Sequence, residues 1–80
     1  MKDIFIDGKP VWISVHAIKQ ARKRNVAYPD QVYYVLKTGK IERFGKKYLK
    51  IIKKSKKGSI ICIGEDVNNL IIIKTIERGN

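Results

Sequence analysis

The chain contains a single cysteine, Cys62, and a single histidine, His16. One cysteine cannot form an internal disulfide, and one cysteine with one histidine cannot complete the ligand set of a zinc site. The segment SIICIG around Cys62 is apolar, so we expect this thiol to be a small core residue in a strand rather than a nucleophile. The sequence predicts no metal site and no cofactor.

Acidic residues are also scarce, because 7 aspartates and glutamates face 18 lysines and arginines, which gives a net charge of +11. Such an excess attracts polyanions at long range, and nucleic acid is the leading class of partner. The alternative is a lysine-rich surface that serves solubility alone. The run KKSKK is expected to be a solvated turn that adds diffuse attraction for RNA.

Long hydrophobic runs are missing as well. No apolar run approaches the roughly 18 residues that span a bilayer. Asp3 and Asp7 fall where a signal peptide would be apolar, so we expect a cytoplasmic protein with no membrane partner. With 44% hydrophobic residues, the 80 residues are expected to form one domain over 1–80.

Two short extended runs, Ile4–Ile6 and Val11–Ile13, flank the turn sequence DGKP. Asp-Gly is a strong hairpin signal, and Pro10 removes a backbone donor, which suits an edge strand. The pattern predicts a peripheral β-hairpin in residues 1–14, anchored to the core by Trp12.

Two helices are predicted in residues 15–39. Ser14 is a suitable N-cap for the first helix, while Pro29 suits the first turn of the second helix and Gly39 its end. Asn25 can end the first helix in a left-handed conformation. At 100° per residue, the first helix has one apolar arc that we expect to face the core: Val15, Ala17, Ile18 and Ala21.

A second stripe on the first helix carries His16, Gln20 and Arg24 at positions i, i+4 and i+8. Lys19 and Lys23 lie beside this stripe. Because the stripe is opposite the apolar arc, we expect its polar side chains to face solvent.

After the second helix the periodicity changes to that of strands, in the segments KIERF, YLKIIKKS, SIICIG and LIIIKTIER. The breaks GKK, KKG and DVNN separate them, which predicts an antiparallel meander over residues 40–78. The predicted fold class is therefore α+β, with an N-terminal β-hairpin and two helices packed on a four-stranded antiparallel sheet.

The segment HAIKQARKRNVAYPDQVYYVLKTGKIERFGKKYLKI resembles a BrnT-related domain of unknown function. That family has a His-Ala pair at a helix start, arginines four and eight residues on, and a glycine after the second helix. Its last strand is of the type Ile-x-Thr, as in LIIIKTIER. The matched positions are His16, Ala17, Arg24, Gly39 and Thr75, while Gln20 stands where the family has its middle arginine.

Through this resemblance the chain is similar to the RelE/ParE-like toxin superfamily, whose helices pack on a four-stranded antiparallel sheet. BrnT-like members are ribonuclease toxins that a cognate antitoxin neutralises. The resemblance implies RNA, free or as ribosome-bound mRNA, as the substrate and an antitoxin protein as a partner. The oligomeric state is left open.

Metal-independent RNA cleavage needs a base, an acid and a cation that stabilises the phosphorane. His16 is the candidate for proton transfer and Arg24 for a bidentate grip on phosphate. Tyr48 is the candidate for stacking on a base or donating to a phosphate oxygen. Six further cations are predicted to bind nucleic acid: Lys19, Lys23, Lys46, Lys47, Lys50 and Arg78.

The resemblance and these residues together leave hypotheses of different classes. The first is a toxin-type, metal-independent endoribonuclease of the BrnT/RelE kind. The second is a non-catalytic nucleic-acid-binding module on the same fold, which the glutamine at position 20 favours. A strand-pairing adaptor is a weaker third hypothesis.

Overall fold

The computed structural model describes residues 4–79. Within that range the chain forms two helices and six strands, and the strands join one sheet. In chain order the elements are β1 (Phe5–Ile6), β2 (Lys9–Ile13), α1 (Val15–Lys23), α2 (Asp30–Thr38), β3 (Lys40–Phe44), β4 (Tyr48–Ser55), β5 (Gly58–Val67) and β6 (Leu70–Gly79).

The sheet has the strand order β1-β2-β6-β5-β4-β3. Strands β3 to β6 follow one another antiparallel. In contrast, β2 lies parallel to β6, with Val11 beside Ile71 and Ile13 beside Ile73. The predicted α+β, RelE/ParE-like fold with a four-stranded antiparallel sheet is therefore wrong, because this fold is a mixed α/β arrangement with six strands in one sheet.

The difference arises at the edge of β6. Without a neighbour, Ile71–Ile73 would leave a row of unpaired backbone groups, and β2 pairs with that row. Pro10 precedes the residues of β2 that pair with β6, so its missing N–H interrupts no bond to that strand. The DGKP turn does join β1 and β2 as a hairpin, but the hairpin extends the sheet instead of standing apart from it.

Both helices pack on one face of the sheet, since α1 contacts β6 while α2 contacts β4 and β5. Alternate strand residues turn toward the helices and are buried: Leu49, Ile51, Ile60, Cys62, Ile71, Ile73 and Ile76. Burial raises the pKa of the Cys62 thiol to about 12. The prediction that Cys62 is a core residue is confirmed.

The intervening strand residues point to the opposite face, which we call the open face because no helix of residues 4–79 packs on it. Side chains that lie there include Trp12, Phe44, Tyr48, Lys50, Ile52, Lys54, Ile61, Ile63 and Ile72. Trp12 is paired in register with Ile72 and is 66% exposed. The prediction that Trp12 anchors the hairpin to the core is therefore wrong.

The first helix begins and ends where the sequence predicts. The Ser14 hydroxyl oxygen accepts a hydrogen bond from the backbone N–H of Ala17 at 3.1 Å. Asn25 has a φ of 57°, the left-handed conformation that lets the chain leave the helix. Val15 departs from the prediction, because its side chain is 67% exposed rather than turned toward the core.

Gly39 lies where α2 meets β3 and leaves no room for a side chain. A Cβ atom there would lie 2.6 Å from Ile51 Cγ2, 2.7 Å from the Val35 carbonyl oxygen and 2.9 Å from the Ile52 carbonyl oxygen.

We expect Gly39→Ala to lower the free energy of unfolding by about 1–3 kcal/mol, because two of these atoms are backbone and cannot move aside. Gly79→Ala is the matched control, since its Cβ makes only an ordinary contact at 3.5 Å. Equal stability of the two variants in chemical denaturation would contradict this expectation.

Candidate nucleic-acid interface

A cleft of about 460 Å³ opens at one end of the sheet. Here the end of α1, the first turn of α2, the β4–β5 turn and the end of β6 come together. The side chains that line it are Arg24, Asn25, Gln31, Ser55, Lys56, Lys57 and Arg78. Four of these are cationic and none is acidic, so we call this site the basic cleft.

Arg78 holds the wall of the basic cleft that β6 forms. Its Nε donates to the carbonyl oxygen of Arg24 at 3.1 Å, and its Nη2 donates to the carbonyl oxygen of Asn25 at 3.0 Å. Both carbonyls lie at the end of α1, where the helix dipole favours a cation. The guanidinium therefore ties the end of β6 to the end of the helix and keeps its charge at the cleft.

The opposite wall comes from the turn between β4 and β5. The Ser55 hydroxyl donates to the carbonyl oxygen of Gly58 at 2.6 Å and closes this turn. Lys56 and Lys57, at its tip, are exposed. Their two ammonium groups thus extend from a turn whose backbone is already held in place.

The cations of the basic cleft lack acidic neighbours. Within residues 4–79, no carboxylate lies at ion-pair distance from any of the four. Other cations are paired in that range: Lys9, Lys40, Arg43, Lys47, Lys50 and Lys74. Seven cations outside the cleft also lack an ion pair in that range: Lys19, Arg22, Lys23, Lys37, Lys46, Lys53 and Lys54. The cleft differs from their positions because four unpaired cations line one concave surface, which favours the binding of an anion.

Two carboxylates, those of Asp7 and Asp66, are engaged near the other end of the sheet. Lys9 Nζ donates to Asp66 Oδ1 at 2.6 Å, and Arg43 Nη1 donates to Asp66 Oδ2 at 3.1 Å. Arg43 also bonds to Asp7. The hydrogen bond from Lys9, with a smaller effect of Arg43, holds the pKa of Asp66 below its ordinary value. These ion pairs connect the N-terminal hairpin to β3 and β5 and so stabilise the fold.

The three residues predicted to be catalytic do not come together. Arg24 lines the basic cleft, but His16 is exposed in the first turn of α1. Eight steps of helix rise separate their Cα atoms by about 12 Å. Tyr48 begins β4 on the open face, and the cleft lies past the other end of that strand, about 23 Å away at 3.3 Å per residue. A catalytic role for His16, Arg24 and Tyr48 stays a prediction.

The predicted nucleic-acid-binding cations are also divided. Arg78 lines the basic cleft, whereas the other five lie outside its lining: Lys19, Lys23, Lys46, Lys47 and Lys50. Lys19 and Lys23 are on α1, Lys46 and Lys47 are in the β3–β4 turn, and Lys50 is on the open face. The sequence reasoning missed Lys56 and Lys57 as members of a site. The KKSKK run marked them as charged, but no local pattern shows that the end of α1 and the end of β6 lie opposite them.

Gln20 has a structural role that its predicted place on a solvent-facing stripe does not suggest. Its Oε1 accepts a hydrogen bond from the backbone N–H of Ile76 at 3.1 Å. This N–H lies on the edge of β6 beyond Ile73, where pairing with β2 has ended. An arginine carries only donors and cannot accept this bond. Gln20 stands where the BrnT-related pattern has an arginine, and only the glutamine can accept this bond at the edge of β6.

Replacing Gln20 tests this role. We expect Gln20→Met, which keeps the length of the side chain but has no oxygen, to lower the free energy of unfolding by about 1–3 kcal/mol, because the N–H of Ile76 loses its partner. Gln20→Glu keeps an acceptor and should lose less. Hydrogen exchange at Ile76 should accelerate in the methionine variant alone, and equal protection in both variants would rule out the bond.

The comparisons with known proteins add no family to this description. No protein-family model, curated protein or solved structure matches the chain. Within residues 4–79, no helix is both long enough and apolar enough to cross a membrane. In the same range, no three His, Cys, Asp or Glu side chains are grouped so that they could hold a metal ion. The geometry of the basic cleft is thus the main evidence on function.

Proposed function

We propose that the chain is a small RNA-binding module that holds backbone phosphates in the basic cleft. The observation that carries this proposal is the grouping of four cations without a carboxylate partner among residues 4–79. Phosphate oxygens accept charge-assisted hydrogen bonds from arginine and lysine, and each neutralised phosphate releases counterions. The net charge of +11 adds long-range attraction to the same partner.

Binding without cleavage is the form of this function that the geometry supports best. Cleavage of RNA needs proton transfer and charge stabilisation at the same phosphate. The helix rise separates His16 from Arg24 by about 12 Å, and Tyr48 lies at the far end of β4. Toxin-type endoribonuclease activity, a cognate antitoxin and a cytoplasmic location stay predictions that follow from the sequence.

Salt-dependent RNA binding tests the basic cleft. Replacing both Lys56 and Lys57 by alanine should weaken the binding of a short labelled single-stranded RNA about tenfold and reduce the log–log salt slope by about 1.4, because two phosphate contacts are lost. Replacing both Lys19 and Lys37 by alanine removes the same charge from exposed helix positions outside the cleft lining. If this control pair lost as much affinity as the cleft pair, binding would be diffuse and the cleft would not be its centre.

A cleavage assay separates binding from catalysis. We expect labelled RNA to stay intact during long incubation with the wild-type protein in the presence of EDTA. We expect His16→Ala to bind that RNA as the wild type does, because His16 is exposed and lies outside the lining of the cleft. Cleavage by the wild type that His16→Ala abolishes would establish the endoribonuclease instead and overturn the proposal of a non-catalytic module.

A further inference from the structure

The open face carries a feature that the basic cleft does not explain. Phe44 and Tyr48 are paired in register on β3 and β4 and stack on each other, with ring centroids 5.7 Å apart and ring planes 19° apart. Their side chains are 43% and 40% exposed, although both are large and apolar. Two nearly parallel aromatic rings are thus partly exposed to solvent on this face.

Alternation along β4 continues this surface toward the cleft. Tyr48, Lys50, Ile52 and Lys54 lie on the open face, with successive members about 6.6 Å apart at 3.3 Å per residue. The next residue, Ser55, points to the opposite face of the sheet and lines the basic cleft there. A line of aromatic, cationic and apolar side chains therefore runs along the open face from the stacked rings to the end of β4 at which the cleft lies, and we call it the β4 track.

The carboxylates beside the β4 track are neutralised by lysines. Glu42 lies between Lys40 and Lys50, with nitrogen–oxygen distances of 3.8 Å to each. Glu65 accepts from Lys74 at 2.5 Å and lies 3.7 Å from Lys47. The hydrogen bond from Lys74 holds the pKa of Glu65 below its ordinary value, so the pair is ionised at neutral pH.

Glu77 is a third carboxylate on this face, but it belongs to β6. It is paired in register with Ile61 of β5, which separates it from β4 by one strand. Lys54 has no ion pair with any residue of the range 4–79. Lys54 is thus an unpaired cation of the track, and Lys50 shares the single charge of Glu42 with Lys40, so a net positive charge remains for an anionic chain that follows β4.

We infer that the β4 track binds single-stranded RNA, with bases stacked on Phe44 and Tyr48 and with backbone phosphates near Lys50 and Lys54. This inference rests on the proposed function and extends it, because it gives the conformation and the path of the RNA. Stacking on aromatic side chains requires an unpaired base with an accessible face. A duplex keeps its bases stacked inside and offers only its backbone, which the basic cleft can bind alone.

A second copy of this chain is the less suitable occupant of the open face. Two molecules that each carry a net charge of +11 repel one another. The lysines of the β4 track lie between its apolar residues, so close association would bury like charges against each other. An anionic strand compensates the same lysines.

The test replaces aromatic rings with aliphatic side chains and leaves every charge in place. The double variant Phe44→Leu with Tyr48→Leu should bind single-stranded RNA about tenfold more weakly, since base stacking on these rings is lost. Its affinity for an RNA duplex and its salt slope should be unchanged. Trp12→Leu is the matched control, because Trp12 is exposed on the same face but lies on β2, away from the track. Circular dichroism melting confirms that each variant folds.

The outcomes distinguish this inference from the proposed function. If wild-type protein binds neither single-stranded nor duplex RNA, the proposed function fails. If the Lys56 and Lys57 variant loses affinity but the Phe44 and Tyr48 variant does not, only the β4 track is wrong.

Two further results would overturn the β4 track. The first is an equal loss of affinity for single-stranded and duplex RNA in the Phe44 and Tyr48 variant. The second is a wild-type dimer in sedimentation that the Phe44 and Tyr48 variant disrupts. The open face would then bind a second copy of the chain. Single-stranded DNA as a further probe shows whether the track requires the 2′-hydroxyl.

Discussion

The free edge of β6 is the constraint on which the rest of the structure depends. The first four residues of this strand, Leu70–Ile73, are apolar, and the backbone groups of the strand need partners on the side away from β5. The parallel strand β2 supplies them as far as Ile73, whose carbonyl oxygen also accepts from the Ser14 N–H at 2.9 Å. Beyond that point, Gln20 accepts from Ile76 and Arg78 donates to the end of α1. Closing one edge therefore places the hairpin, the first helix and one wall of the basic cleft.

The distribution of charge follows from that arrangement. Most of the paired carboxylates hold the hairpin and the β3–β4 end of the sheet, where Asp66 joins Lys9 and Arg43. At the other end, the last turn of α1 and the β4–β5 turn bring together cations that have no acidic partner within residues 4–79. The large excess of positive charge along the chain thus becomes a local site, because the ion-paired acids lie elsewhere: Asp7, Glu42, Glu65 and Asp66. The proposed RNA contact depends on this separation of charges.

Local features of this chain were predictable because neighbouring residues decide them. The Ser14 cap, the left-handed Asn25 and the buried Cys62 each depend on a few residues of sequence. Non-local features were not predictable in the same way. Period-two alternation shows where a strand lies but not which strand pairs with it, so the parallel pairing of β2 with β6 was missed. The same limit explains why Trp12 was expected in the core, because its pairing in register with Ile72 decides the face of the sheet on which it lies.

The sequence by itself determined the excess of positive charge, the lack of a ligand set for zinc, the helix cap and the strand periodicity, since all of these depend on composition or on nearby residues. Only the tertiary structure decided which cations meet. Arg24, Lys56 and Arg78 are far apart in the chain and share a cleft because β6 pairs with β5 and its edge is tied to α1. The structure also decided that Gln20 faces a sheet edge, because only a folded strand presents an unpaired N–H to a helix side chain.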